Sequence, residues 1–309
     1  MVGEGSAAVP KDKGHPRLRR IVSYALIPAM LLSVWWLAGS TLASPSHAAI
    51  GDAPPDLPAS SVRISSGSGE TLRGWFVSGI AGRGAVVLLH GVRATRVSML
   101  ARARFLHRDG FSVLLCDFQA HGESTGRHIT FGYLESRDAQ SEVAFVRRAA
   151  PGEKVGIIGT SLGGAAALLA TPPLPVDAMV LESVYPTIED AISDRLSARL
   201  GPWAGAITPL LAVQLHPRLG FGAEQLRPID RVSSILVPKL FIAGTEDRST
   251  TIQETRRLFQ AAAAPKDIWE ITGAGHQDLC AFAGTEYRRR VAAFLRRFLF
   301  AASAQAADQ

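Results

Sequence analysis

The stretch Lys154-Val155-Gly156-Ile157-Ile158-Gly159-Thr160-Ser161-Leu162-Gly163-Gly164-Ala165-Ala166-Ala167-Leu168-Leu169-Ala170 decides how this chain folds. Lys154 to Ile158 reads as a short β-branched strand, and Gly164 to Ala170 as a helix. Between them, a serine stands between two glycines in the pattern G-x-S-x-G. On a strand-to-helix turn this pattern is a nucleophile elbow. The turn is so tight that the serine occupies strained backbone, and a Cβ at either glycine would clash with the neighbouring strand or helix. The helix that starts there points its N-terminal N–H groups at any oxyanion formed beside the hydroxyl. In a glycine-rich loop the same string is only a turn with a passive serine. Set between a strand and a helix, it makes Ser161 a candidate nucleophile.

A nucleophilic serine needs a base and an acid that orients the base. Pro238 to Ala243 reads as a buried strand running into the polar turn Gly244-Thr245-Glu246-Asp247. Lys266 to Ile271 reads as the next strand, running into Gly273-Ala274-Gly275-His276. The small residues there leave room for an imidazole to lean over the serine. The order serine, acid, histidine is the one that accompanies such an elbow, which makes His276 the base and Asp247 the acid. Two other acids remain open: Glu246, its neighbour, and Glu182, which ends the strand Met179–Glu182. An oxyanion hole needs two N–H donors. Leu162, directly after the nucleophile, is one. Val92, in the loop His90-Gly91-Val92 after the strand Gly84–Leu89, is the other. Gly91 lets the backbone approach the substrate, and His90 is read as bracing the loop by hydrogen bonding.

Four motifs together resemble the serine hydrolases of the α/β-hydrolase superfamily, in particular bacterial hydrolases that join a membrane-anchor or export segment to a compact core. They are His90-Gly91, Asp117-Phe118-Gln119-Ala120-His121-Gly122-Glu123-Ser124, Gly159 to Gly163, and the Asp247…His276 pair. The second departs from the family's turn. Gln119 stands where arginine is frequent, Ala120 where glycine is frequent, and Glu123 precedes the serine. It is read as a structural rim of the site. The resemblance spans about Ser61 to Leu299 and implies fold and reaction class more firmly than substrate.

The residues themselves point the same way. Val62–Ser65 and Thr71–Val77 alternate around Gly67-Ser68-Gly69, a hairpin at the sheet edge. Strands from Ala85, Phe111, Lys154, Ala178, Lys239 and Asp267 alternate with helical patterns. That rhythm predicts a mostly parallel sheet with helices on both faces, and the resemblance implies that it is an α/β-hydrolase fold. It breaks at residues 185–237. Thr187 is a good N-cap there, Gly201 a good stop, and Ile188, Ala191, Ile192, Leu196 and Leu200 form an apolar stripe. A small helical cap is expected, shaping the acyl pocket for a medium or long chain. The other reading is that these helices simply complete the core.

The expected organisation is a basic cytoplasmic tail at 1–20, an anchor or signal segment at 21–43, and a Ser/Ala/Pro-rich linker at 44–60. Core follows at 61–184, the cap at 185–237, core again at 238–300, and a tail at 301–309. Ile21 to Ala43 carries no charge, and Trp35 and Trp36 lie near its far end. That length suits an uncleaved transmembrane anchor, and Ser46-His47-Ala48 offers the alternative of a cleaved signal. Either way the catalytic part lies outside the cytoplasm. The net charge is +6, and half of it comes from Lys11, Lys13, Arg17, Arg19 and Arg20 set against Glu4 and Asp12. No basic stretch interleaved with aromatics suggests nucleic acid. Arg288, Arg289, Arg290, Arg296 and Arg297 read as the solvated face of a C-terminal helix. The two cysteines, Cys116 and Cys280, are not expected to pair, and no metal-ligand spacing or cofactor motif is present.

The expected function is hydrolysis of a small-molecule carboxylic ester or thioester through an acyl-enzyme. A peptidase or amidase on the same fold, or an inactive membrane-tethered scaffold, are the alternatives.

Overall fold

In the computed structural model the backbone is described for residues 16–301, and side chains for 26–301 except 198–200 and 202. The tail from 302 onward and most of the basic tail, up to residue 15, lie outside the described residues. Eight strands follow the expected segments: β1 Ser60–Ser65, β2 Thr71–Val77, β3 Ala85–Leu89, β4 Ser112–Cys116, β5 Val155–Thr160, β6 Ala178–Glu182, β7 Lys239–Gly244 and β8 Lys266–Ile271. They form one sheet in the order β8-β7-β6-β5-β3-β4-β2-β1. β2 runs antiparallel to both its neighbours, and all the other pairs are parallel.

Parallel strands covered on both faces must be apolar throughout, and β3, β4, β6 and β7 are buried along their whole length. Alternate residues serve opposite faces. Val87 and Leu89 pack with α3 (Glu135–Ala149), α4 (Leu162–Leu169) and α8 (Ile252–Ala261). Val86 and Leu88 pack with α2 (Leu100–Arg108) and α9 (Leu279–Leu299). On α9, Tyr287, Val291 and Leu295 face the core, while Arg289 and Arg290 lie outside and pair with Glu286. Cys116 and Cys280 are buried free thiols.

The chain divides into two compact units, Met1–Thr41 and Leu42–Gln309. The helix α1 runs from Pro16 to Ala43. Its stretch Leu26–Ala43 has a mean hydropathy of 1.6 and is long and apolar enough to cross a membrane.

Residues 44–60, expected as a linker, belong to the second unit, and their first part is a strap bonded into it. Ser46–His47 pairs in parallel with His121–Gly122. The Ile50 and Gly51 N–H groups both donate to Glu123 Oε1 at 3.0 Å. Arg96 donates to Glu123 Oε2 at 2.5 Å and to Gly51 O at 3.2 Å, and its guanidinium lies over the Trp75 ring. This accounts for Glu123 in the Asp117–Ser124 turn. Glu123 pins the strap, and Ala120 sits at φ 58, the left-handed region where glycine is most at ease.

Residues 185–237 hold no strand. They form α5 (Ile188–Leu200), α6 (Ala204–Ala212), α7 (Leu215–Leu219) and short 3-10 turns. Thr187 caps α5 by accepting the Asp190 N–H at 3.1 Å. The apolar stripe is divided. Ile188 and Ala191 are buried in the cluster that contains α4, with Ile192 packed against it, so that part completes the core. The Leu200 side chain lies outside the described residues.

Candidate active site

β5 ends at the centre of the sheet, with Gly159 beside Leu89 on one side and Leu181 on the other. Ser161 follows at φ 50 and ψ −110, strained for a residue with a side chain. The flanking glycines are dictated by contact. A Cβ on Gly163 would stand 2.2 Å from Leu89 O, and one on Gly159 would stand 2.7 Å from the Gly164 backbone. Gly164 is similarly constrained, since its Cβ would meet Val184 Cγ2 at 2.2 Å. The Ser161 hydroxyl is buried and makes no hydrogen bond.

His276 and Asp247 come from the loops after β8 and β7. The two loops are tied together: Thr245 N–H donates to Ile271 O at 3.0 Å and Glu246 N–H to Ala274 O at 2.9 Å. His276 Nδ1 donates to Asp247 Oδ2 at 2.8 Å. Asp247 Oδ1 accepts the N–H groups of Ser249 at 2.8 Å and Thr250 at 2.9 Å. Burial pushes the Asp247 carboxyl upward, but the hydrogen bond and charge of His276, with those amides, outweigh it and hold it below its ordinary value. The group is therefore an ionised acceptor that fixes the imidazole with Nε2 free.

The two alternative acids are placed elsewhere. Glu246 is exposed. Glu182 is fully buried and fully engaged: Arg102 Nε donates to it at 3.1 Å, Arg102 Nη2 at 2.6 Å, Thr160 Oγ1 at 3.0 Å, and the Tyr287 hydroxyl donates too. Arg102 also pairs with Asp278 at 2.9 Å. This network lies directly behind the elbow, since Ser161 N–H donates to Glu182 O at 2.8 Å.

A cavity of about 340 Å³ opens at the elbow, with Ser161, His276, Gly91 and Val92 on its wall. Leu162 begins α4 directly after Ser161. A Cβ on Gly91 would lie 3.8 Å from Ser161 Cβ, so the glycine faces the serine. The loop that carries Gly91 and Val92 is braced by two histidines. His90 Nδ1 donates to Gly91 O at 2.8 Å, and its Nε2 accepts the Phe118 N–H at 3.0 Å. His121 Nδ1 donates to Gln119 O at 2.9 Å, and its Nε2 accepts the Arg93 N–H at 3.1 Å. Each ring needs a bare nitrogen and is neutral. Burial, with His121 nearby, pushes His90 down to about 3, and burial lowers His121 too. The bracing role read for His90 is what its bonds describe.

Residues 86–294 match the profile of the alpha/beta hydrolase family. The chain belongs to that family. The uncharacterized protein YqkD of Bacillus subtilis is 25% identical over 238 residues, covering 75% of this chain and 77% of its own. The uncharacterized protein Rv2307c of Mycobacterium tuberculosis is 28% identical over 252 residues, covering 81% and 84%. Among solved structures, the esterase Pf2001 of Pyrococcus furiosus superposes with a TM-score of 0.70 at 23% identity, covering 84% of this chain and 98% of its own. The fold and the family support a hydrolase.

Two of the cavity residues not anticipated from the sequence bear on its chemistry. Ser183, directly after β6, and Arg195, on α5, also line the cavity. Ser183 carries no sequence signal. Arg195 does carry one: it falls at helical spacing from Ile188 and Ala191, a charge in line with the apolar stripe.

Proposed function

We propose that this protein hydrolyses carboxylic esters through Ser161, His276 and Asp247. The observation that carries this reading is the 2.8 Å His276–Asp247 hydrogen bond on a cavity that also holds the strained Ser161. In this mechanism Ser161 Oγ attacks the ester carbonyl as His276 Nε2 takes its proton. Asp247 holds the tautomer and stabilises the imidazolium. The N–H groups of Val92 and Leu162 receive the oxyanion. Collapse expels the alcohol, protonated by His276, and leaves an acyl-Ser161 ester. Water, deprotonated by His276, then releases the acid.

Helix α1 is read as a membrane anchor that holds the catalytic unit on the extracytoplasmic side, its basic residues Arg17, Arg19 and Arg20 remaining inside. The test of the chemistry is labelling by a neutral fluorophosphonate. Wild type is expected to be labelled on Ser161, and Ser161→Ala to be inert. Labelling at another residue, or none, would remove the reading. Membrane fractionation with external protease tests the anchor: a membrane-bound, protease-accessible catalytic unit is expected.

A further inference from the structure

Ser183 and Arg195 are unexplained by the fold and by the triad, and they share the cavity with Ser161. Ser183 is only 3% exposed and adopts φ 46, a conformation that costs free energy in a residue with a side chain. Its N–H is used, donating to Ile242 O at 2.9 Å. Its hydroxyl has no hydrogen-bond partner at all. A buried hydroxyl left unpaired is costly, and this one lies on the cavity wall, within reach of a ligand that enters it.

Arg195 enters from α5. Its Nη1 donates to Ala191 O of its own helix at 2.8 Å. A guanidinium has five N–H donors, so several remain. Among the described residues no carboxylate lies within ion-pair distance of it. The other charges on the cavity are already committed. Arg102 is held by Glu182 and Asp278, and Asp278 is further held by the Cys280 and Ala281 N–H groups as the cap of α9. Arg195, which feels the Asp194 charge next to it in sequence, forms no ion pair among the described residues and shares the cavity with the candidate nucleophile.

We infer that the natural substrate is an ester that also carries a free oxyanion, a carboxylate or a phosphate, held by the Arg195 guanidinium and the Ser183 hydroxyl. This rests on the serine-hydrolase reading and narrows it. It adds a charged group to the ester expected from the sequence. The cavity wall takes a cation from α5, where the stripe suggested leucines. Neither group takes part in bond making. Both act as binding groups that orient the ester carbonyl on Ser161.

Two matched substrate pairs test this and locate the charge. Mono-4-nitrophenyl adipate against its methyl ester places the anion on the acyl side. A butyryl ester of glycerol phosphate against butyrylglycerol places it on the alcohol side. Wild type is expected to prefer the charged member of one pair by roughly tenfold in kcat/KM, the scale of one charge-assisted hydrogen bond. Arg195→Gln should lower kcat/KM on that member about tenfold more than on its neutral partner, chiefly through KM. Arg195→Lys should keep part of the preference, and Ser183→Ala should lose a smaller part. Equal rates within both pairs for wild type would overturn the inference, as would an Arg195→Gln loss shared equally by charged and neutral esters. If Arg195→Gln fails to fold, the wild-type comparison decides alone. Fluorophosphonate labelling of Ser161 separates the two levels. A labelled enzyme without charge preference sinks only this inference. An unlabelled one sinks the serine-hydrolase reading and this inference with it.

Discussion

The elbow and the rim of the site are built in opposite ways. At the elbow, Gly159, Gly163 and Gly164 are dictated by backbone and side chains a few residues away or on the adjacent strand. At the rim, the strap at 42–51 is held by bonds across long stretches of chain: Ile50 to Glu123 spans 73 residues, and His47 to Gly126 spans 79. Local geometry leaves a compositional trace, because only glycine fits where backbone meets backbone. Long-range hydrogen bonds to amides leave none, because any residue but proline can donate them. The elbow is therefore the part that sequence reasoning finds, and the strap the part whose bonds composition does not reveal.

The largest effects should fall where the elbow meets the loops after β7 and β8. Ser161→Ala should fold normally and lose esterase activity by about three orders of magnitude or more, since the serine supplies the bond-forming atom. Hydrolysis of a 4-nitrophenyl ester measures it, and retained activity would move the nucleophile elsewhere. Asp247→Asn should follow, at roughly a hundred- to ten-thousand-fold in kcat, because an amide stabilises the wrong histidine tautomer.

Glu182→Gln should separate chemistry from support. It leaves the Arg102 guanidinium buried with only Asp278 as its charged partner. Breaking a buried pair costs on the order of 3 kcal/mol. Denaturant unfolding should show a stability loss of that order, while the folded fraction still labels with fluorophosphonate. A catalytic loss larger than that of Asp247→Asn would return the acid to the end of β6.

All eight strands were legible from strand periodicity and the elbow from its glycines, while the Asp247–His276 pair was read from chain order with Glu246 and Glu182 left open. The strap, the Arg102–Glu182–Tyr287 network and Ser183 on the cavity wall were not legible. Arg102 is a charge on a helix whose burial appears only once α2 meets α9 across β6. The strap yields a graded test. A chain starting at Leu42 keeps every strap bond and should be soluble and as active as the full chain on a soluble ester. A chain starting after Gly51 loses the Ser46, Ala48, Ile50 and Gly51 N–H bonds. At about 1 kcal/mol each, it should be less stable by a few kcal/mol, read as a fall in Tm. Equal Tm values would mean that the strap is a tether after all.

The smallest effect concerns how α5, which carries Arg195, rests on α8. Asp190 pairs with Arg257 at 3.2 Å, and Asp194 stands beside Glu254. Burial, with the Asp194 charge next, pushes the Glu254 carboxyl up to about 8 from an ordinary 4.5, and burial raises Asp194 in the same way. The folded chain therefore keeps a proton in this window that the unfolded chain has released. Stability is fully present below the unfolded value near 4.5 and falls as pH rises through the folded value near 8. Thermal unfolding should give a lower Tm just above pH 8 than near pH 5. Glu254→Gln keeps an acceptor for the Thr251 N–H, which Glu254 Oε2 now takes at 2.9 Å, but cannot ionise. Its Tm should depend less on pH over the same interval. An unchanged slope in Glu254→Gln would place the pH sensitivity elsewhere and leave α5 held by the Asp190–Arg257 pair and its apolar contacts alone.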